Sequence, residues 1–157
     1  MSTYGWLLAL HMTGAFLMVG GSAAAGILNV FARRQERPSD VALFFGLVRL
    51  AVPAIGIGGA LTLVLGLWLV HHRGYSYGEF WVWAAVVLWA LGMALGGRGG
   101  RKQDEVRRLA QRLAAEGDAP SPELRARSRE PIPTAMSWGA GFAFLLVLVL
   151  MIWKPGA

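Results

Sequence analysis

The sequence contains no cysteine, and charged residues are scarce outside one short region. Without cysteine, disulfide bonds and thiolate metal sites are excluded. No Asp, Glu, Lys or Arg occurs before Arg33, and after Pro131 the only charged side chain is Lys154. Only 15% of the residues are charged, against about 25% in an average soluble domain. These uncharged runs are long enough to cross about 30 Å of hydrocarbon, which argues against a water-soluble core.

The residue patterns of common catalytic sites are also missing. The chain has no nucleotide-binding loop, no HExxH motif and no candidate Ser-His-Asp set. No carboxylate falls within the longest apolar stretches, so no relay for protons or sodium ions is predicted. We therefore expect an integral membrane protein without an evident catalytic site rather than an enzyme.

The apolar stretches predict an all-α, polytopic membrane protein, a four-transmembrane-helix bundle that forms one domain over residues 1–157. The predicted spans are residues 4–31, 52–70, 80–96 and 134–153, with Gly96 and Gly97 ending the third helix. The first stretch is too long, and has too few basic residues before it, for a removable signal peptide. Because residues 41–70 would form a helix of about 45 Å, the second helix should begin before the membrane, capped by Ser39 or Asp40.

Residues 98–130 form the one markedly polar region and are expected to be a basic cytoplasmic loop. Within it, residues 101–116 have the spacing of an amphipathic helix, with Val106, Leu109, Ala110 and Leu113 on one side. Gly117 and Pro120 should end this helix. Ser121 followed by Pro122 then predicts the cap and first position of another short helix.

The cations predict the orientation, with both termini outside the cell. All of the 15 Lys and Arg residues except Arg73 and Lys154 then fall on the cytoplasmic side, as the positive-inside rule requires. Most tryptophans fall near the opposite boundary, where aromatic side chains favour the membrane interface. Localisation in a bacterial cytoplasmic (inner) membrane is the corresponding prediction.

Small residues predict how the helices pack, because membrane helices associate by close backbone approach. Glycines are expected at the helix contacts, and those singled out are Gly14, Gly21, Gly59, Gly66, Gly92 and Gly96. The same residues admit two interpretations: a tightly packed bundle, or a surface that receives another subunit, a second copy or a lipid.

His11 is the one ionisable residue clearly inside a predicted span, and such residues are functional candidates. It is either a hydrogen-bonded interhelical histidine or a ligand for haem b or for a metal such as copper. The turn near the second boundary supplies another candidate metal site, formed by His71, His72 and Glu79. Five cations of the basic loop are expected to bind anionic lipid head groups rather than nucleic acid; they are Arg101, Lys102, Arg107, Arg108 and Arg112.

The first helix resembles a known family. Residues 6–15 read WLLALHMTGA and are followed by Val19-Gly20-Gly21, which is similar to the opening of the predicted integral membrane proteins grouped as domain of unknown function 2269. That resemblance implies a small four-span fold and no particular activity. The first-helix histidine is also similar to one in the copper-resistance D family and in the small membrane protoporphyrinogen oxidases, but their further histidines are not evident here.

Taken together, these features predict an accessory or structural subunit of a larger membrane complex, in contact with lipids and with other membrane proteins. The alternative is a haem- or copper-binding membrane protein that uses His11. A small-solute transporter is less favoured, because the predicted spans contain few polar residues.

Overall fold

The computed structural model describes residues 2–155, and the described residues form five α-helices. In chain order these are α1 (Thr3–Arg34), α2 (Pro38–His72), α3 (Phe80–Ala115), α4 (Pro122–Ser128) and α5 (Pro131–Trp153). Four segments of the described chain are long and apolar enough to cross a membrane, and they contain α1, α2, α3 and α5. The predicted all-α, four-span architecture is therefore confirmed.

The long helices pack as antiparallel neighbours in the order α1, α2, α3, α5, with α5 returning to α1. Their ends differ in chemistry. One end, here called the aromatic end, carries Trp6, Trp68, Trp81 and Trp153, and the opposite end, the basic end, carries Arg33 and most other cations. Each end has its own buried cluster.

The backbones of α1 and α2 come into close contact at two facing glycines. A Cβ atom on Gly58 would lie 2.6 Å from the Gly14 carbonyl oxygen, and one on Gly14 would lie 2.8 Å from the Leu61 Cβ. Only glycine leaves room for this backbone approach, which supplies the van der Waals contact that holds membrane helices together. On the other side of the bundle, the Phe144 ring of α5 lies directly over Gly92 of α3.

The predicted end of the third helix at Gly96 and Gly97 is wrong, because α3 continues unbroken to Ala115. A glycine costs a helix about 1 kcal/mol relative to alanine, but helix stability in proteins comes mostly from tertiary packing. Gly96 contacts the Ala140 side chain, and Gly99 lies against the Pro133 carbonyl and the Ser137 hydroxyl of α5. Close packing on α5 thus outweighs the weak local preference for a break.

As a consequence, the predicted amphipathic helix is the last part of α3. At about 1.5 Å per residue, the 36 residues of α3 extend for about 54 Å, well beyond the hydrocarbon thickness. Its apolar side packs on α2 in a buried cluster at the basic end. The members of this cluster come from four helices and are Ala32, Val41, Phe45, Val48, Ala110 and Leu124.

The start of α2 also differs from the prediction. The helix begins at Pro38, and Ser39 lies in its first turn instead of capping it. The cap comes from a distant residue: Asp118 accepts hydrogen bonds of 2.7 Å from the Ser39 backbone N–H and from the Ser39 hydroxyl. By contrast, Ser121 caps α4 as predicted, with its hydroxyl accepting from the Leu124 N–H at 3.4 Å.

Candidate functional site

The helix contact around His11 is the first candidate site. His11 is 9% exposed and lies between α1 and α2, beside Gly66. A Cβ atom on Gly66 would lie 2.9 Å from the His11 Cε1, so the absence of a side chain at Gly66 makes room for the imidazole. The ring also faces the backbone of Thr62, one turn earlier on α2. The buried Nδ1 has no hydrogen-bond partner among residues 2–155.

This arrangement offers a ligand atom but little space. The whole imidazole lies against α2 at Gly66. A Cβ atom added there would be 3.4 Å from the His11 Nδ1 and 4.0 Å from its Nε2. Met12, the next residue along α1 and a possible second side chain for haem iron, is 49% exposed and faces away from the helix contact. A haem at His11 would therefore need α1 and α2 to separate, or a second protein to provide the other side of the pocket.

The predicted metal site at the aromatic end is not assembled. Among residues 2–155, no group of three His, Cys, Asp or Glu side chains converges on one point. The His71 ring stacks on Tyr77 at 6.4 Å, and the His72 ring stacks on Tyr4 at 6.0 Å. Glu79 instead accepts a 3.0 Å hydrogen bond from the Trp81 indole N–H. Aromatic partners thus hold these side chains apart.

All six predicted packing glycines lie at helix contacts. Gly14, Gly21 and Gly66 belong to the α1–α2 contact, Gly59 faces Met93 and Trp89, and Gly92 and Gly96 face α5. Further contact glycines, among them Gly58, Gly99 and Gly139, were not singled out from the sequence, because glycine is frequent throughout these helices.

A network of ion pairs at the basic end is centred on Asp104. Its Oδ1 accepts hydrogen bonds from the Arg107 Nε at 2.9 Å and Nη2 at 2.8 Å, and its Oδ2 accepts from the Arg108 Nε at 3.0 Å. Arg49 of α2 approaches the same carboxylate at 3.8 Å. The hydrogen bonds from Arg107 and then Arg108 hold the pKa of Asp104 below its usual value.

Arg33 joins the end of α1 to α4. Its guanidinium donates to the backbone carbonyls of Ser128 at 3.0 Å, Arg129 at 2.5 Å and Glu130 at 3.4 Å. These carbonyls follow the last turn of α4, where a helix leaves its acceptors unpaired and its dipole favours a cation. Arg33 therefore fixes the position of the segment that leads into α5.

Two adjoining cavities lie at the basic end, and they share the lining residues Lys102, Glu105, Glu130 and Pro133. The inner polar cavity has a volume of about 60 Å³ and is lined by buried polar side chains that include Asn29, Gln103 and Ser128. The interfacial cleft, between α3 and α5, has a volume of about 420 Å³. Its charged lining residues are Arg98, Arg101, Lys102, Glu105 and Glu130.

The five cations predicted to bind lipid head groups occupy different environments. Arg101 and Lys102 line the interfacial cleft, whereas Arg107 and Arg108 are bound to Asp104. Arg112 is exposed in the last turn of α3, about 15 Å beyond Lys102 along the helix. The sequence pattern did not single out Arg98 or Glu130, which line the cleft with Arg101 and Lys102.

Four long apolar helices with an aromatic end and a basic end define a multi-pass integral membrane protein. The chain belongs to the family described as "Predicted integral membrane protein (DUF2269)", whose model matches residues 6–155. This match confirms the resemblance carried by the first helix. No curated protein and no solved structure matches the chain.

Proposed function

We propose that this protein is a non-catalytic accessory subunit that packs against helices of other membrane proteins in the bacterial inner membrane. The proposal rests on the observation that some glycines lie at helix contacts and others face outward. Those at the helix contacts are explained by the fold, but each long helix also has a glycine with open space where its side chain would be. These outward glycines include Gly20, Gly56, Gly97 and Gly141.

Within the monomer, the outward glycines destabilise their helices relative to alanine and make no close contact that would offset this. Alanine would fit at each of them and would favour the helix by about 1 kcal/mol. A partner helix supplies a benefit, because small residues allow close backbone approach in lipid. On α1, Gly20 lies in an exposed side that also carries Ala9, Thr13 and Ala24. A transmembrane helix of a partner protein is therefore the proposed occupant.

Enlarging the outward glycines tests this proposal. We expect Gly20→Leu and Gly56→Leu not to lower the thermal stability of the purified chain, yet to dissociate the assemblies that the proposal predicts for the wild type, as measured by mass photometry in native-lipid nanodiscs. Phe16→Leu is the matched control, because Phe16 is 73% exposed on the same side of α1 and its replacement removes no small-residue surface. A monodisperse monomer of the wild type in mild detergent and in nanodiscs would contradict the proposal.

The proposed orientation, with both termini outside and the basic end in the cytoplasm, has a direct test because the chain has no cysteine. Ser76 lies in the exposed turn between α2 and α3, and Gln111 is exposed near the end of α3. A membrane-impermeant maleimide should label Ser76→Cys in intact cells and Gln111→Cys only after lysis. The reverse pattern would overturn the orientation.

Haem or copper binding at His11 is the second candidate, favoured by the unpartnered, buried Nδ1. A Soret band or bound copper in the purified protein, lost in His11→Ala and retained in His72→Ala, is the expected result. Protein from iron- and copper-supplemented cells that carries neither haem nor copper would eliminate this candidate.

A further inference from the structure

The interfacial cleft holds charges of both signs that are not paired with each other. Arg98 and Arg101 have no ion pair or side-chain hydrogen bond among residues 2–155, and neither does the carboxylate of Glu130. Glu130 precedes the first turn of α5, but its side chain does not cap that helix. Within the same cleft, Lys102 and Glu105 lie 3.7 Å apart and neutralise each other.

The cleft lies at the depth where phospholipid head groups are found. Trp81 lies in the first turn of α3 at the aromatic end, and Arg101 follows about 20 residues later, a rise of about 30 Å. This rise equals the thickness of the hydrocarbon layer, so Arg101 reaches the opposite head-group region. On α5, the cleft is lined by Ile132, which is 66% exposed, and by Met136, so apolar surface continues toward the hydrocarbon.

The size and chemistry of the cleft fit a lipid. Its volume of about 420 Å³ falls within the range of about 300–1,000 Å³ for small-molecule sites. Arginine binds phosphate oxygens through its planar set of N–H donors, and two unpaired arginines are available. Glu130 remains as an acceptor for a cationic group. Since Glu130 lies more than 4 Å from each arginine, one ligand that carries separated charges would satisfy all three residues.

We propose that the interfacial cleft is a binding site for phosphatidylethanolamine, with its phosphate on Arg98 and Arg101 and its ammonium group on Glu130. Phosphatidylglycerol has the phosphate but no cation to pair with Glu130. Phosphatidylcholine has the cation but no N–H to donate to the carboxylate. The site therefore distinguishes the three head groups, and it narrows the predicted lipid-binding cations to those that line the cleft.

The test is native mass spectrometry of the full chain with phosphatidylethanolamine, phosphatidylglycerol and phosphatidylcholine of identical acyl chains. We expect the wild type to retain phosphatidylethanolamine in preference to the other two. The double variant Arg98→Gln/Arg101→Gln should lower retention about tenfold or more, because it removes both charged donors to the phosphate. Glu130→Gln should keep phospholipid binding but remove the preference over phosphatidylglycerol.

A control variant separates this site from a general effect of net charge. Arg34→Gln/Arg37→Gln removes the same charge from exposed positions that do not line the cleft, and it should retain phosphatidylethanolamine as the wild type does. Equal retention of the three lipids by the wild type would overturn the proposal. So would a cleft variant that retains as much lipid as the control, or a preference for phosphatidylethanolamine over phosphatidylglycerol that Glu130→Gln does not change.

Discussion

Replacing Gly92 by alanine should destabilise the protein through one contact that the structure identifies. The new Cβ atom would lie 2.5 Å from the Phe144 Cε1 and 2.8 Å from its Cδ1. Carbon atoms prefer separations of about 3.5–4.0 Å, so the ring or the helix must move by about 1 Å or more. Phe144 is 1% exposed and has no space into which to turn. Overpacking of this kind costs about 1–3 kcal/mol.

The assay is reversible unfolding in detergent, followed by circular dichroism. Gly97→Ala is the matched control, since it lies on the same helix and its Cβ would meet no atom within 4 Å. The control should be neutral or more stable than the wild type by up to about 1 kcal/mol. Phe144→Leu should lower stability by itself but relieve the added cost of Gly92→Ala, so the double-mutant cycle should give a coupling energy of about 0.5 kcal/mol or more.

Two results would refute this account of the α3–α5 contact. The first is a Gly92→Ala variant that is as stable as Gly97→Ala, which would mean that the helices do not approach as closely as the structure has them. The second is strict additivity of Gly92→Ala and Phe144→Leu, which would place the strain somewhere other than the Phe144 ring.

Three other predictions concern the basic end. Hydrogen bonds from Arg107 and Arg108 lower the pKa of Asp104, so the stability that this carboxylate contributes is present above about pH 4 and is lost as the pH falls through the folded-state pKa. Asp104→Asn should therefore lower the unfolding midpoint at pH 7 and differ less from the wild type at pH 3. Asp118 caps α2 from a left-handed backbone conformation (φ 57°), so Asp118→Ala should lower the midpoint more than Asp118→Asn, which keeps an acceptor and tolerates that conformation. Arg33→Met should accelerate hydrogen exchange of the α4 amides, because the carbonyls at the end of α4 lose the guanidinium that donates to them. Exchange in the α1–α2 contact should stay unchanged.

The number of spans could be predicted from the sequence because hydrophobic length is a property of single segments. An apolar run of sufficient length has few alternatives to a helix in lipid, where every backbone N–H and C=O must be satisfied within the segment. The cap at Ser121 is similarly local, since Ser, Pro and Glu occur in consecutive positions. Such features depend on neighbouring residues alone and can be predicted without the residues that pack opposite them.

The errors occurred where a distant residue decides the outcome. Gly96 and Gly97 have the local preference of a helix end, but the α5 surface opposite holds the helix together. The cap of α2 comes from Asp118, which is 79 positions away from Ser39 and outside any local motif. The turn that carries His71, His72 and Glu79 is a different case, because each side chain lies against its own aromatic partner, and only Tyr4 is distant in sequence.

The interfacial cleft could not be predicted for the same reason, and it changes how the cations should be interpreted. A run of arginines in a loop suggests a diffuse attraction to anionic lipid, in which each cation contributes about 1 kcal/mol. In the structure, Asp104 engages Arg107 and Arg108, and Arg33 binds α4, so these cations hold the fold together. Arg98 and Arg101 share the interfacial cleft with the carboxylate of Glu130. A purely anionic ligand would pair with the arginines and leave this carboxylate without a partner. It is the uncompensated Glu130, more than the excess of arginine, that argues for a particular lipid.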